Sequence, residues 1–183
     1  ILPNKTIIAG SAVSDNKLCQ FASENEVGGL EFLYGIPGTV GGGIRMNSGC
    51  FGTEFKDVLL SVQAIDRTGK ILTIPSKTID FKYRAIDLPR DLIFLSASFK
   101  GKSKKKNKIK SEMERIKKKK EESQPSKIKT GGSTFKNPAD QTNKKVWELI
   151  KNSVEQNITY GDASISEKHS NFFVNKNKAT FKD

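Results

Sequence analysis

The stretch Gly35–Gly52, GIPGTVGGGIRMNSGCFG, places seven glycines and one proline in eighteen positions. An ordinary core strand or helix cannot be built this way. Glycine loses more conformational freedom on folding than any other residue, so a cluster of them needs a return on that cost. The return expected here is backbone that runs where side chains would clash, against a phosphate or a flat ring system. The segment matches neither common phosphate loop, having no GxxxxGK[ST] and no GxGxxG that opens a helix after a strand. It reads as a different way of holding a nucleotide-like ligand.

Working outward, Thr6–Ala12 (TIIAGSA) reads as a strand, and Asp15–Asn25 as a helix with Leu18, Phe21 and Ala22 inward and Ser14 or Asp15 as N-cap. Beyond the glycine-rich segment, Val58–Asp66 alternates as a strand with Val58, Leu60, Val62 and Ala64 on one face. Arg67–Lys70 turns it into a second strand, Ile71–Ile74, and Asp91–Phe99 is a third. Strands mixed with a few helices, without regular βαβ alternation, predict an α+β architecture.

The formal net charge of +12 raises the question of a polyanion partner. Its location answers most of it. Between Lys100 and Lys120 lie eleven lysines and Arg115 against Glu112 and Glu114, a local +10 that leaves +2 for the rest. Ser103–Gln124 reads as a helix whose apolar residues Ile109, Met113 and Ile116 form one narrow stripe, ended by Pro125. A solvated surface helix explains the lysines, their stems covering apolar neighbours. No aromatic residues interleave with them for base stacking, so no nucleic-acid partner is expected.

After Pro125 a second glycine-rich turn, Thr130–Pro138 (TGGSTFKNP), precedes a helix from about Asn143 to Ser153 with Val146, Leu149 and Ile150 inward and Trp147 as core. Strand-like Ile158–Gly161 and Ser164–Asn175 (SISEKHSNFFVN) follow. The expected organisation is a domain over residues 1–124 and a second over 125–183. Two cysteines, Cys19 and Cys50, are too few for a disulfide scaffold and point to a reducing, cytoplasmic setting. One histidine, without clustered cysteine or carboxylate ligands, gives no metal site. No run of apolar residues is long enough for a membrane span. The chain begins Ile1-Leu2-Pro3 and ends directly after a strand-like run, which reads as a piece of a longer polypeptide.

Four segments together resemble the UDP-N-acetylenolpyruvoylglucosamine reductase (MurB) family in its type II form: GLEFLYGIPGTVGGGIRMNSGCFG (29–52), FKYR (81–84), GGSTFKNP (131–138) and SEKHSNFFVN (166–175). They occur in the family's order and spacing. The resemblance implies a partial FAD-binding domain of the PCMH/vanillyl-alcohol-oxidase type, followed by a small α/β substrate-binding domain. It implies a monomer that takes a hydride from NADPH through FAD and reduces the enolpyruvyl ether of a UDP-sugar to UDP-N-acetylmuramate.

On this resemblance Arg84 stabilises the negative charge that builds on the enolpyruvyl carboxylate, and Ser133 donates the proton to the neighbouring carbon. Pro37, Gly38, Thr39, Gly41, Gly42, Gly43, Asn47 and Gly49 match the loop along the FAD pyrophosphate and isoalloxazine. Asn137, Lys136, Lys168 and His169 match substrate-side positions. Two departures stand out. Phe51 replaces a family tyrosine, and the family's upstream FAD-diphosphate segment and downstream catalytic glutamate fall outside the chain, so the isolated piece is expected to be inactive. Alternatives of other classes are a different flavin oxidoreductase of the same superfamily and an inactive remnant.

Overall fold

The computed structural model describes residues 1–183, which divide into two compact units, Ile1–Lys118 and Lys119–Asp183. The first is built on an antiparallel sheet of β1 (Ile7–Gly10), β2 (Leu59–Ile65), β3 (Ile71–Pro75) and β4 (Ile93–Phe99), in the order β1–β4–β2–β3. Helix α1 (Asp15–Glu24) begins where Ser14 caps it, its hydroxyl accepting the N–H of Lys17 at 3.3 Å. The short helix α2 (Val40–Arg45) begins the same way at Thr39, whose hydroxyl accepts from Gly42 at 3.4 Å. Such caps satisfy donors that a helix start leaves free, at about 1 kcal/mol each.

The core of this unit joins Ile7, Leu18, Val40, Ile44, Val62 and Phe99 around Phe55, all nearly inaccessible to water. The Phe55 ring meets Phe32 and Phe99 edge-on, with centroids 6.0 and 5.9 Å away. The hairpin from β2 to β3 turns on Asp66, whose carboxylate accepts the N–H groups of Thr68 and Lys70 at 2.8 and 3.0 Å, with Gly69 at φ 85°. Helix α3 (Lys106–Ser123) buries Ile109, Met113 and Ile116 and leaves its lysines in water, the division that its sequence pattern predicts.

Two inward assignments fail, each for a local reason. Leu60 is exposed because β2 carries a bulge. Leu59 and Ser61 pair with the adjacent residues Phe99 and Ser98, so Leu60 has no partner and the side-chain alternation slips by one. Phe21 also faces solvent, and Cys19 and Ser23 take the buried positions on α1.

The second unit is an antiparallel sheet of β5 (Lys129–Ser133), β6 (Thr159–Tyr160), β7 (Ala163–Ile165) and β8 (Phe172–Asn175), in the order β5–β8–β7–β6. Its buried apolar residues are few: Ile165, Phe172 and Val174. Helix α4 (Val146–Ser153) has no fully buried residue, and Trp147 is 39% exposed rather than core. A unit this small encloses little apolar surface, so its helix is covered on one side at most. No helix of the chain is long and apolar enough to cross a membrane.

Candidate active site

In the first unit the glycine-rich segment is anchored at its start. Gly38 accepts the N–H of Asp15 at 3.0 Å, Val40 donates to Val13 at 2.9 Å, and Gly41 donates to Ser11 at 2.9 Å. These bonds fasten Pro37–Val40 alongside the turn that leads into α1. Pro37, Gly38 and Thr39 remain exposed, and the N–H groups of Gly38 and Thr39 are not among the anchoring bonds. Free backbone donors beside a helix start suit a ligand that presents phosphate or carbonyl oxygens.

Most of the glycines answer to the protein itself. A Cβ on Gly43 would lie 2.3 Å from two carbons of the Phe55 ring, so α2 can rest on the central aromatic residue of the core only through glycine. A Cβ on Gly41 would meet Ser11 at 3.0 Å, and one on Gly49 would meet Glu54 at 2.7 Å. Gly42 differs. Its exposed position has room for a Cβ, the nearest atom being the Thr39 hydroxyl at 3.5 Å. The expectation that the run exists for close ligand approach therefore needs dividing: internal packing demands Gly43 and Gly49, crowds Gly41 against Ser11, and leaves Gly42 unexplained.

Asn47 is buried and its side chain is occupied. Its amide nitrogen donates to Glu54 at 2.9 Å and to the Lys82 carbonyl at 3.5 Å, and its oxygen accepts the N–H of Lys56 at 3.1 Å. One residue thus ties the glycine-rich segment both to the ribbon Gly49–Cys50/Thr53–Glu54 and to the ribbon Phe81–Lys82/Ala85–Ile86. The first ribbon turns at Phe51 and Gly52, with φ of 48° and 89°, the two-residue geometry that the twist of a hairpin favours. The second turns at Tyr83 and Arg84, with the Arg84 guanidinium 5.8 Å from the Tyr83 ring centre. Arg84 sits at φ 54°, a left-handed conformation that costs a side-chain-bearing residue on the order of 1 kcal/mol.

Beneath the loop lies a group that the sequence offers only as an alternative N-cap, a place that Ser14 takes. Asp15, at the first turn of α1, is fully buried, neither carboxylate oxygen has a hydrogen-bond partner, and a Cβ on Gly38 would stand 3.0 Å from one of them. Burial pushes its pKa up to about 7. Cys19 on the same helix is pushed up to about 12 by burial and by the charge of Glu31, which makes it an inert thiol.

In the second unit Ser133 ends β5, an edge strand. Thr130 pairs with Val174 and Ser133 with Phe172, three residues of advance against two, so the strand bulges at Gly131–Gly132. Gly132 takes φ 84°, which a side chain would resist, and the Thr130 hydroxyl both donates to the Phe173 carbonyl at 2.6 Å and accepts from Gly132 at 3.2 Å. A bulge of this kind re-aims the residue that follows it, here half-buried Ser133.

The other expected residues divide by what they already hold. Asn137 accepts the N–H of Val146 at 3.0 Å and so supports the start of α4. Lys168 gives its ammonium to the Glu121 carbonyl at 2.9 Å, capping the end of α3. His169 accepts the N–H of Asn171 on Nδ1 at 3.2 Å, with its ring 4.8 Å from Phe172 and 6.3 Å from Trp147. Desolvation lowers its pKa, which favours neutral imidazole. Lys136 is exposed.

Two family models match the chain: an FAD binding domain over residues 2–75, and the C-terminal domain of UDP-N-acetylenolpyruvoylglucosamine reductase over residues 124–183, with residues 76–123 between them in neither match. The reductase of that name from Pelagibacter ubique is 63% identical over the whole chain, and the one from Rickettsia typhi is 44% identical over 97% of it. The chain spans 61% and 59% of the length of these two relatives. The crystal structure of the Thermus caldophilus reductase matches with a TM-score of 0.85 at 31% identity, covering all of this chain and 66% of that one. The architecture is accordingly an FAD-binding domain followed by the reductase's C-terminal domain. The chain belongs to the UDP-N-acetylenolpyruvoylglucosamine reductase (MurB) family.

Proposed function

We propose that the full-length gene product reduces UDP-N-acetylglucosamine enolpyruvate to UDP-N-acetylmuramate with FAD and NADPH, as a cytoplasmic, monomeric enzyme of peptidoglycan precursor synthesis. The observation that carries the reading is the bond from Asn47 to Lys82. It fastens the glycine-rich segment to the ribbon whose turn holds Arg84, at 3.5 Å, so the expected cofactor wall and the expected carboxylate-binding cation belong to one assembly.

The residues present fit FAD. Pro37, Gly38 and Thr39 form an exposed rim on which Gly38 and Thr39 have free N–H groups, Gly42 keeps an open face, and Gly41, Gly43, Asn47 and Gly49 hold that rim in place. When bound, FAD would supply the hydride, drawn from NADPH and delivered to the vinyl terminus of the enolpyruvyl group.

Hydride addition there leaves an electron pair that delocalises into the substrate carboxylate. The Arg84 guanidinium stabilises that charge as it forms, a contribution worth more in a water-poor site than in solvent. The strained backbone at Arg84 is consistent with a side chain held for a task, since such conformations concentrate where function over-determines them. Ser133 then donates its Oγ proton to the adjacent carbon, and the resulting alkoxide regains a proton from solvent. Serine can act this way only toward a strongly basic, short-lived carbanion within hydrogen-bond reach.

Lys136 lies three residues along the same turn and supplies positive charge near that alkoxide. Asn137, Lys168 and His169 face the nucleotide-sugar in this reading, Asn137 and Lys168 with their present contacts as supports for the surrounding backbone. Residues 125–183 act as the substrate half.

The test is direct. The purified full-length product should be yellow and should oxidise NADPH only when the enolpyruvyl UDP-sugar is present. A colourless protein, or NADPH oxidation indifferent to that substrate, would end the proposal.

A further inference from the structure

Asn171 stands just before β8, the strand that pairs with Ser133. It is buried, with 3% of its surface accessible. Its side chain meets both backbone groups of Phe135: Oδ1 accepts the Phe135 N–H at 2.9 Å and Nδ2 donates to the Phe135 carbonyl at 2.9 Å. Its own carbonyl accepts the N–H of Thr134 at 2.9 Å. The amide therefore imitates a neighbouring strand and continues the β5–β8 ladder for two residues beyond Ser133, where regular pairing has stopped.

The need for such a device follows from the local chain. Ser133 stands between a glycine bulge with Gly132 at φ 84° and a turn that leaves the sheet. On the N-terminal side the Thr130 hydroxyl stiffens the bulge through Phe173 and Gly132. On the C-terminal side Asn171, just before β8, makes both side-chain hydrogen bonds to the Phe135 backbone, and the Phe135 ring packs edge-on against Phe173 of β8 with centroids 6.1 Å apart. The N–H of Asn171 is itself fixed on His169 Nδ1, so the clamp cannot rotate freely.

We infer that Asn171 is the positioning residue of the Ser133 hydroxyl, holding the turn so that Oγ stays within reach of the carbon it protonates. This rests on the reading of Ser133 as proton donor. Asn171 touches no reacting atom, and its effect passes through Ser133 alone. A misplacement of about 1 Å at a reacting group can cost roughly 100-fold in rate, which sets the scale.

The experiment is a double-mutant cycle on the flavin-loaded full-length enzyme, read separately in its two half-reactions by stopped-flow absorbance. Asn171→Ala should leave flavin reduction by NADPH unchanged and slow flavin reoxidation by the enolpyruvyl UDP-sugar roughly 10- to 100-fold. In a Ser133→Ala background the same substitution should cost less than about 2-fold, because there is no hydroxyl left to position. Asn171→Asp keeps the acceptor for Phe135 N–H and loses the donor, so it serves if the alanine variant does not fold, with the same dependence on Ser133 expected. Equal losses with and without Ser133 would overturn the inference and leave the serine's role intact. Full reoxidation activity in Ser133→Ala alone would overturn both.

Discussion

Asp15 gives the most quantitative handle on the glycine-rich segment. Its carboxyl is fully enclosed under Gly38 with no hydrogen-bond partner, and burial raises its pKa from 3.8 to about 7. The folded state therefore holds this proton more tightly than the unfolded state. Between about pH 4 and 7 the folded protein binds more protons here, so stability contributed by the group is present below pH 4 and is lost as pH rises toward 7. A shift of about 3 units corresponds to about 4 kcal/mol, an upper figure because water and side-chain relaxation relieve part of the penalty.

Asparagine has nearly the same shape and cannot ionise. Relative to the wild type, Asp15→Asn should gain several kcal/mol between pH 4 and 8, the change falling within the pH 4–7 window. Urea unfolding of the two proteins at matched pH values, compared as a difference, cancels every other titrating group. A difference that stays within about 1 kcal/mol across that range would show that Asp15 does not carry its proton into the fold, and the reasoning would be refuted.

Other substitutions separate packing from ligand contact. Gly43→Ala should destabilise the fold by at least 1–3 kcal/mol, because its methyl would fall 2.3 Å from the Phe55 ring; a normal urea midpoint would contradict this. Gly42→Ala should leave the urea midpoint within about 1 kcal/mol, since its methyl meets nothing closer than 3.5 Å, yet lower flavin retention in the full-length protein. Unchanged flavin retention there would remove Gly42 from the cofactor site. Lys104→Met should cost about 2 kcal/mol, because the buried Glu31 carboxylate loses its 2.8 Å ion pair and keeps only the Gly29 N–H at 2.7 Å; an unchanged midpoint would mean that water replaces the lysine.

Periodic features were legible in the chain. The stripe Ile109, Met113, Ile116 follows from spacing and the structure places it as read, while of the two cap candidates Ser14 and Asp15 it is Ser14 that caps the helix. What escaped depends on pairing across the sheet. The bulge at Leu60 is set by the register against β4, which no single segment displays. The glycine-rich run was visible as an anomaly, but its cause was read too narrowly: Gly43 is glycine because Phe55 lies against it, twelve residues away in sequence and adjacent only in the fold.

The site shows the same division. Ser133 and Arg84 stood out through the motifs around them. Asn171, inside SEKHSNFFVN, and Asp15, which begins the predicted helix, did not. A buried amide or carboxyl looks polar and ordinary in sequence. Asn171 matters because both backbone groups of Phe135 face it, 36 residues away. Asp15 matters because packing leaves it without a partner.

The central claim is that Ser133 delivers the proton in a flavin-dependent reduction, and single-turnover kinetics of Ser133→Ala in the full-length enzyme test it most directly. NADPH should bleach the flavin at the wild-type rate, and reoxidation by the enolpyruvyl UDP-sugar should slow by roughly 10²- to 10⁴-fold. Wild-type reoxidation with that variant would contradict the account.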